Sequence, residues 1–217
     1  MSTVFFDLDG TLTNPFVGIT TCIQHALREL GQPPPRAEAL ARFIGPPLRA
    51  TFVELVGEAQ ADAAVALYRD RFSTVGLFEN EVYDGVEAAL DALLAAGITC
   101  HVASSKPHVF VEKILAHFNL RRFFTQVFGS ELDGTRADKA QLLAYALQQT
   151  GTVGGLMIGD RRHDVVGALA NDLTPVGVLY GFGDARELIE AGAEHLVAQP
   201  AELPALIEGL VSPQAGR

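Results

Sequence analysis

Two aspartates stand one residue apart in VFFDLDGTLTN (residues 4–14), after a short apolar run and before a turn through Gly10 and Thr11. A strand that ends on Asp7 and Asp9 presents two carboxylates with separable tasks. A carboxylate can attack phosphorus to give an aspartyl phosphate, dividing one difficult displacement into two. Phosphate monoesters need such help, since enzymes accelerate their hydrolysis by up to ~10²¹-fold. Nucleophile and phosphate are both anionic, so a hard divalent cation, Mg²⁺, is expected, with Asp7 and Asp160 among its oxygen ligands. The leaving alkoxide needs a proton, and Asp9 is placed to supply it. Ser104 can donate a hydrogen bond to a phosphate oxygen, and Lys139 can neutralise charge that the metal does not reach. Asp164, four residues after Asp160, reaches the same side if a helical turn follows the strand, where it would orient metal-bound water.

Each of these residues also has a plainer reading. An isolated D-x-D can be a solvated turn, bent by Gly10 and capped by Thr11 or Thr13. Ser104 can cap a helix before Pro107, with Ser105 an equal candidate, and Lys139 can be a surface lysine on an amphipathic helix. Lys106 and the run Arg161, Arg162, His163 read as solvated charges. Arg49 follows a rigid Gly-Pro-Pro turn, either facing the core as a substrate contact or lying exposed at a helix start. Phe43 and Ile44 either wall a substrate cavity or pack in the core, and Tyr180 and Phe182 either touch a base or close the sheet. The six histidines lack H-x-H or H-x-x-x-H spacing, which argues against a histidine metal site; His101 reads as a strand residue.

The elements that must position these groups follow from hydrophobic periodicity. From about residue 84, short apolar runs alternate with amphipathic stretches, the pattern of βα units on a parallel sheet. The runs are ITCHVAS (98–104), QVFGS (126–130), GLMIGD (155–160), PVGVLY (175–180) and EHLVA (194–198). Helices are predicted over 84–97 and near 107–118, 138–149, 164–171, 184–192 and 201–210. In such a sheet, ligands gather beyond the carboxyl ends of the strands. Asp7, Ser104 and Asp160 each follow a predicted strand, and Lys139 opens the helix after another. Residues 15–80 differ, with helical periods and no convincing strand. Ile19, Cys22, Ile23, Ala26, Leu27 and Leu30 form one apolar stripe, Gly31 stops it, and prolines 33–35 break the chain before helices around 47–57 and 60–76.

Bulk properties narrow the function class. The chain has 217 residues, 48% of them apolar, and a formal charge of −10, which argues against a surface that follows a nucleic-acid polymer or an anionic membrane. Cys22 and Cys100 lack C-x-x-C spacing and read as reduced thiols of a cytoplasmic protein. The N-terminus has no basic segment of a signal peptide, and no apolar run is long enough to span a bilayer. Beyond the three prolines, low complexity is confined to the short tail after Ser212. Oligomeric state has no signature in the sequence.

Together, DLDGTLT, ASSK, Lys139 and GDRRHD resemble, in order, the four motifs of the haloacid-dehalogenase-like phosphohydrolase superfamily. That resemblance implies a doubly wound, Rossmann-like α/β core, residues 1–14 and 81–217, with an all-helical C1-type cap inserted at 15–80. It implies Asp7 as nucleophile, Asp9 as acid/base, Ser104 and Lys139 as phosphate ligands, and Asp164 as a support of the metal site. Mg²⁺ would be held by Asp7, Asp160 and the backbone carbonyl of Asp9. Dehalogenases of the superfamily lack the second aspartate, so Asp9 favours phosphate chemistry. FIGPPLRATF, STVGLFENEVYDGV, LDGTR and GVLYGFG are similar to the 5′-nucleotidase-like or phosphoglycolate-phosphatase-like branch. The implied substrate is a small phosphorylated metabolite, a nucleoside 5′-monophosphate first and phosphoglycolate or a sugar phosphate second. Phosphotransfer to another hydroxyl and a non-enzymatic receiver-like module are the remaining alternatives. A dinucleotide-binding domain is weaker, since YGFGDARE lacks the third glycine of that fingerprint.

Overall fold

The computed structural model describes residues 3–211, so the tail after Ser212 lies outside the described residues. In chain order the elements are β1 (Thr3–Phe6), β2 (Thr13–Asn14), α1 (Phe16–Glu29), α2 (Ala37–Leu40), α3 (Leu48–Val56) and α4 (Glu58–Arg71). A π-helical turn at Phe72–Gly76 leads to β3 (Glu81–Val82), α5 (Val86–Ala95), β4 (Thr99–Pro107), α6 (His108–His117), β5 (Gln126–Ser130) and α7 (Lys139–Thr150). The chain closes with β6 (Leu156–Gly159), α8 (Arg162–Leu169), β7 (Thr174–Val178), α9 (Ala185–Ala191), β8 (His195–Val197) and α10 (Leu203–Val211).

Six strands form one parallel sheet in the order β5-β4-β1-β6-β7-β8. All four residues of β1 are buried, as expected of a central strand covered on both faces. Successive side chains point to opposite faces, and β1 divides accordingly. Val4 and Phe6 join the apolar cluster that includes Leu90, Leu93, Val111, Ile114 and Ile207, from α5, α6 and α10. Phe5 joins the other cluster, with Leu142, Leu143, Ala146 and Ala168 from α7 and α8. The sheet is therefore wound on both sides, the α/β class expected from the sequence. From β1 the chain builds outward through β4 and β5, then returns to the other flank of β1 with β6. That reversal opens a crevice at the carboxyl end of β1, the usual ligand position in such sheets.

Helices α1 to α4 and the π-helical turn lie between β2 and β3, whose antiparallel pairing (Thr13 with Val82, Asn14 with Glu81) brings the two connecting segments together. The α1 stripe is buried at Ile19, Cys22, Ile23, Ala26 and Leu27, while Leu30 is half-buried. A relay of rings ties these helices to the sheet layer: Phe52 to Tyr68 (6.0 Å), Tyr68 to Phe72 (5.2 Å) and Phe72 to Phe110 of α6 (5.4 Å between centroids). Such pairs each contribute about 0.5–1.5 kcal/mol beyond the area they bury.

Three features depart from the sequence reading. The predicted helix over 60–76 is two pieces, α4 and the π-helical turn. The four-residue α2 and the two-residue strands β2 and β3 were not expected, being too short to show a period. Strand β4 runs on to Pro107, with a register shift after Ser104 that turns the following residues toward the crevice. No helix among the described residues is long and apolar enough to cross a membrane.

Candidate active site

The first strand delivers Asp7 by ordinary sheet pairing, its N–H donating to the Ile158 carbonyl of β6 at 2.9 Å. Immediately afterwards the chain leaves the sheet. The Leu8 carbonyl accepts from the N–H groups of Leu12 and Thr13 (2.9 and 3.0 Å), and Leu8 itself is buried in the core. The turn pulls Asp7 and Asp9 out of strand geometry, so the two carboxylates meet different partners. Gly10 allows this turn with φ of +84°, and a Cβ there would lie 2.1 Å from Asp160 Oδ2. Any side chain at Gly10 would therefore occupy the space of that carboxylate.

Lys139, Asp160 and Asp164 gather beneath Asp7, and all four residues are buried. Helix α7 begins at Lys139, after Asp138 accepts a capping hydrogen bond from the Gln141 N–H (3.0 Å). The Lys139 ammonium donates to the Ala103 carbonyl (2.8 Å) and lies 2.8 Å from Asp164 Oδ1 and 3.1 Å from Asp7 Oδ1. Asp164 stands in the first turn of α8, its Oδ2 accepting from the Arg161 N–H at 3.1 Å. Asp160 follows β6, and its Oδ2 accepts from the Phe182 N–H at 2.8 Å, whereas Oδ1 is buried with no donor.

Three carboxylates against one ammonium leave this floor electrostatically incomplete. Burial, reinforced by Asp164 and Asp7, pushes the Asp160 carboxyl well above the usual range. Burial also raises Asp164, to about 6, despite the pull of Lys139. For Lys139, burial opposes the charge, but Asp164 and Asp7 outweigh it and raise its pKa. Carboxylate oxygens of Asp7, Asp160 and Asp164 all lie within 4.8 Å of one another. That hard-oxygen set, with the unpartnered Oδ1 of Asp160 among it, fits a divalent cation such as Mg²⁺. Asp164 was expected to act on the metal through water. In the structure its carboxylate stands in the same group as the other two.

Asp9 turns away from this floor. Its Oδ1 and Oδ2 lie 2.8 and 2.7 Å from the Lys106 ammonium, and both side chains are about nine-tenths buried. Burial raises the Asp9 carboxyl more than Lys106 lowers it, the direction that a proton carrier requires. Lys106 also lies 4.8 Å over the Phe72 ring, joining Asp9 to the helical insert. Reading Lys106 as a solvated charge is thus corrected. The sequence carried no signal for this role: it comes from the extension of β4 past Ser104, which keeps the ASSK run at the crevice.

Above these groups lies a cavity of about 310 Å³, lined by Asp7, Asp9 and Ser104 from the sheet side and by Phe43, Val65, Tyr68 and Phe72 from the insert. Ser104 is buried, and its Oγ accepts from the Lys106 N–H at 3.4 Å. Arg49 borders the cavity, yet it is exposed and bound to Glu58 and Asp62, so its charge is already answered. Ile44 belongs to the core rather than to the cavity wall. The Tyr180 hydroxyl donates to the Thr11 carbonyl (3.1 Å), bracing the turn after Asp9. Arg161 is not a solvated charge either: it is largely buried, pairs with Glu187 at 2.9 Å and donates to the Ile44 carbonyl, linking the loop after β6 to the insert.

Comparison with known proteins places the chain and its fold among phosphatases and their relatives. The chain is 46% identical over 209 residues to a 5′-nucleotidase of Pseudomonas aeruginosa, covering 94% of this chain and 95% of that protein. It is 35% identical over 209 residues to the tyrosine-protein kinase PtkA of Mycobacterium tuberculosis, covering 95% and 72% respectively. The crystal structure of a predicted phosphatase from Clostridium acetobutylicum matches the fold with a TM-score of 0.92 at 42% identity, over 96% of this chain and 98% of that one. The model of haloacid dehalogenase-like hydrolases matches residues 4–178, from β1 through β7 and so through every residue of the buried floor, and the chain belongs to that family.

Proposed function

We propose that this phosphatase is a Mg²⁺-dependent phosphomonoesterase that works through an aspartyl phosphate on Asp7, with a nucleoside 5′-monophosphate as substrate. The observation that carries the reading is the division of the two carboxylates: Asp7 lies over Lys139 in the acidic floor, and Asp9 lies apart, against Lys106. Bound among Asp7, Asp160 and Asp164, Mg²⁺ would screen the negative charge of the phosphate and the nucleophile. An Asp7 oxygen forms a bond to phosphorus as the bond to the ester oxygen breaks, and Asp9 gives that oxygen its proton. Water then attacks phosphorus, Asp9 takes the proton back, and the bond to Asp7 breaks to restore the carboxylate. Lys139 and Ser104 hold the transferring phosphoryl oxygens.

Residues 15–80 act as the cap. The ring relay and the Arg161 to Ile44 hydrogen bond hold it over the site, excluding water while the phosphoryl group moves. The cavity supports a nucleoside because its cap wall is aromatic and apolar, and stacking on such rings favours a base by about 1–3 kcal/mol. Similarity to PtkA favours a second reading, in which the same phosphoryl group passes to a tyrosine hydroxyl.

A phosphate-release panel with Mg²⁺ separates these readings. Nucleoside 5′-monophosphates are expected to exceed phosphoglycolate and sugar phosphates by at least about tenfold in kcat/KM, the effect of 1.4 kcal/mol of binding. A preference for phosphoglycolate would overturn the nucleotide assignment. Label retained on a tyrosine rather than appearing as inorganic phosphate would replace hydrolysis by transfer.

A further inference from the structure

Among the described residues, one of the cations around the cavity has no answering group. Lys106 is held by Asp9, Lys139 by Asp7 and Asp164, and Arg49 by Glu58 and Asp62. Arg69 also lines the cavity, and among the described residues it is absent from every side-chain hydrogen bond and ion pair. Its Nε is closed off from water with no acceptor. A guanidinium carries five donors and no acceptor, so a half-buried one without partners is poised for a ligand that brings oxygen.

The position of Arg69 says which part of the ligand that is. Asp62, Val65, Arg69 and Phe72 recur at intervals of three, four and three residues, one face of a helix, and all four line the cavity. At the inner end, Phe72 lies under Lys106 and hence beside Asp9. At the outer end, Asp62 is exposed and bound to Arg49. Arg69 stands between them, three residues or about 4.5 Å along the axis from Phe72 toward the mouth. It therefore faces the part of a substrate remote from the phosphate.

We propose that Arg69 is the specificity-determining cation of this site, selecting phosphomonoesters that carry an oxygen acceptor at the end away from the phosphate. The inference rests on the phosphatase reading above and deepens it. In a nucleotide the acceptor is an oxo group of the base, which a guanidinium can grip together with a ring nitrogen, as it grips O6 and N7 of guanine. In phosphoglycolate it is the carboxylate.

Paired substrates that differ only in that acceptor test the proposal with the full chain and Mg²⁺. One pair is inosine 5′-monophosphate against purine riboside 5′-monophosphate, which lacks the 6-oxo group; the other is phosphoglycolate against ethyl phosphate. In wild type, one pair is expected to show a kcat/KM ratio of about 10 to 100, carried mainly by KM, and which pair does so identifies the source of the oxygen. Arg69→Gln is expected to reduce that ratio to near one, and Arg69→Lys, which keeps the charge but loses the fork, to leave it intermediate. If Arg69→Gln does not fold, Arg69→Lys carries the attribution to this residue, and wild-type ratios near one would overturn the proposal with no variant at all. Ratios near one for both wild-type pairs, or a ratio that survives in Arg69→Gln, would overturn the proposal. If wild type released no phosphate from any substrate, phenyl phosphate included, the phosphatase reading itself would fall and the inference with it.

Discussion

Asp7→Asn is expected to lower kcat for phosphate release by about 10⁴-fold or more while leaving the fold as stable as wild type or more so. The first part follows from removing the attacking oxygen: a nucleophile and its activating groups act as a unit, and losing one member forfeits most of the acceleration. The second part follows from the floor of the site. Asp7 is buried within ion-pair distance of one lysine that Asp164 also engages at 2.8 Å, and it shares its surroundings with Asp160. Asparagine there removes one of three crowded negative charges and keeps the shape. Phosphate release and thermal unfolding, measured on the same metal-free preparation and then with Mg²⁺, separate the two effects. A variant that lost activity and also unfolded at much lower temperature would make Asp7 a structural residue. A variant that turned over like wild type would remove it from the mechanism.

Chelation of divalent cations is expected to abolish turnover, and returning Mg²⁺ to raise Tm by an amount that depends on pH. Asp160 and Asp164 are both raised by burial, Asp164 to about 6. The sign is the reverse of the usual carboxylate case. A carboxyl whose pKa is higher in the folded state binds more protons there than in the unfolded chain, so its contribution to stability falls as pH rises from the ordinary carboxylate value toward 6. A cation needs the deprotonated form, and it binds the folded chain alone, so it offsets that loss. The Mg²⁺-dependent rise in Tm should therefore be larger at pH 7.5 than at pH 5. Saturation at 100 times Kd would add about 2.7 kcal/mol of stability. Asp160→Asn is expected to shrink the rise, since among the described residues Oδ1 of Asp160 has no donor and, unlike Asp7 and Asp164, Asp160 is not paired with Lys139. A rise that was equal at both pH values, or unaffected in Asp160→Asn, would place the cation elsewhere.

Much of this architecture was legible because parallel strands buried on both faces are short apolar runs, and six such runs punctuate the sequence. Their carboxyl ends name the crevice, which is how Asp7, Ser104 and Asp160 could be grouped before any contact was known. The structure brings these together with Lys139 and Asp164. What escaped the sequence depends on contacts between distant segments. Lys106 looks like a solvated lysine until the shifted register after Ser104 aims it at Asp9, 97 residues away. Arg161 sits in a charge run, yet it bridges Glu187 and the Ile44 carbonyl. Arg69 and Arg71 stand two residues apart on one helix and are identical in type. Arg71 is paired with Glu79 at 2.7 Å and, among the described residues, Arg69 is unpaired at the cavity; helical spacing separates their directions but does not name their partners. The π-helical turn was equally hidden, because its residues continue the apolar pattern of α4.

The division of labour between Asp7 and Asp9 is tested most directly by rapid quenching of Asp9→Asn during reaction with an aryl phosphate. An aryl oxide leaves without a proton, so the first transfer to Asp7 persists in this variant, while the second step lacks the base that draws a proton from water. A phosphoryl group that hydroxylamine removes is expected to accumulate on the peptide containing Asp7. Continued phosphate release with no label on that peptide, or label on a different side chain, would contradict the assignment of Asp7 as nucleophile.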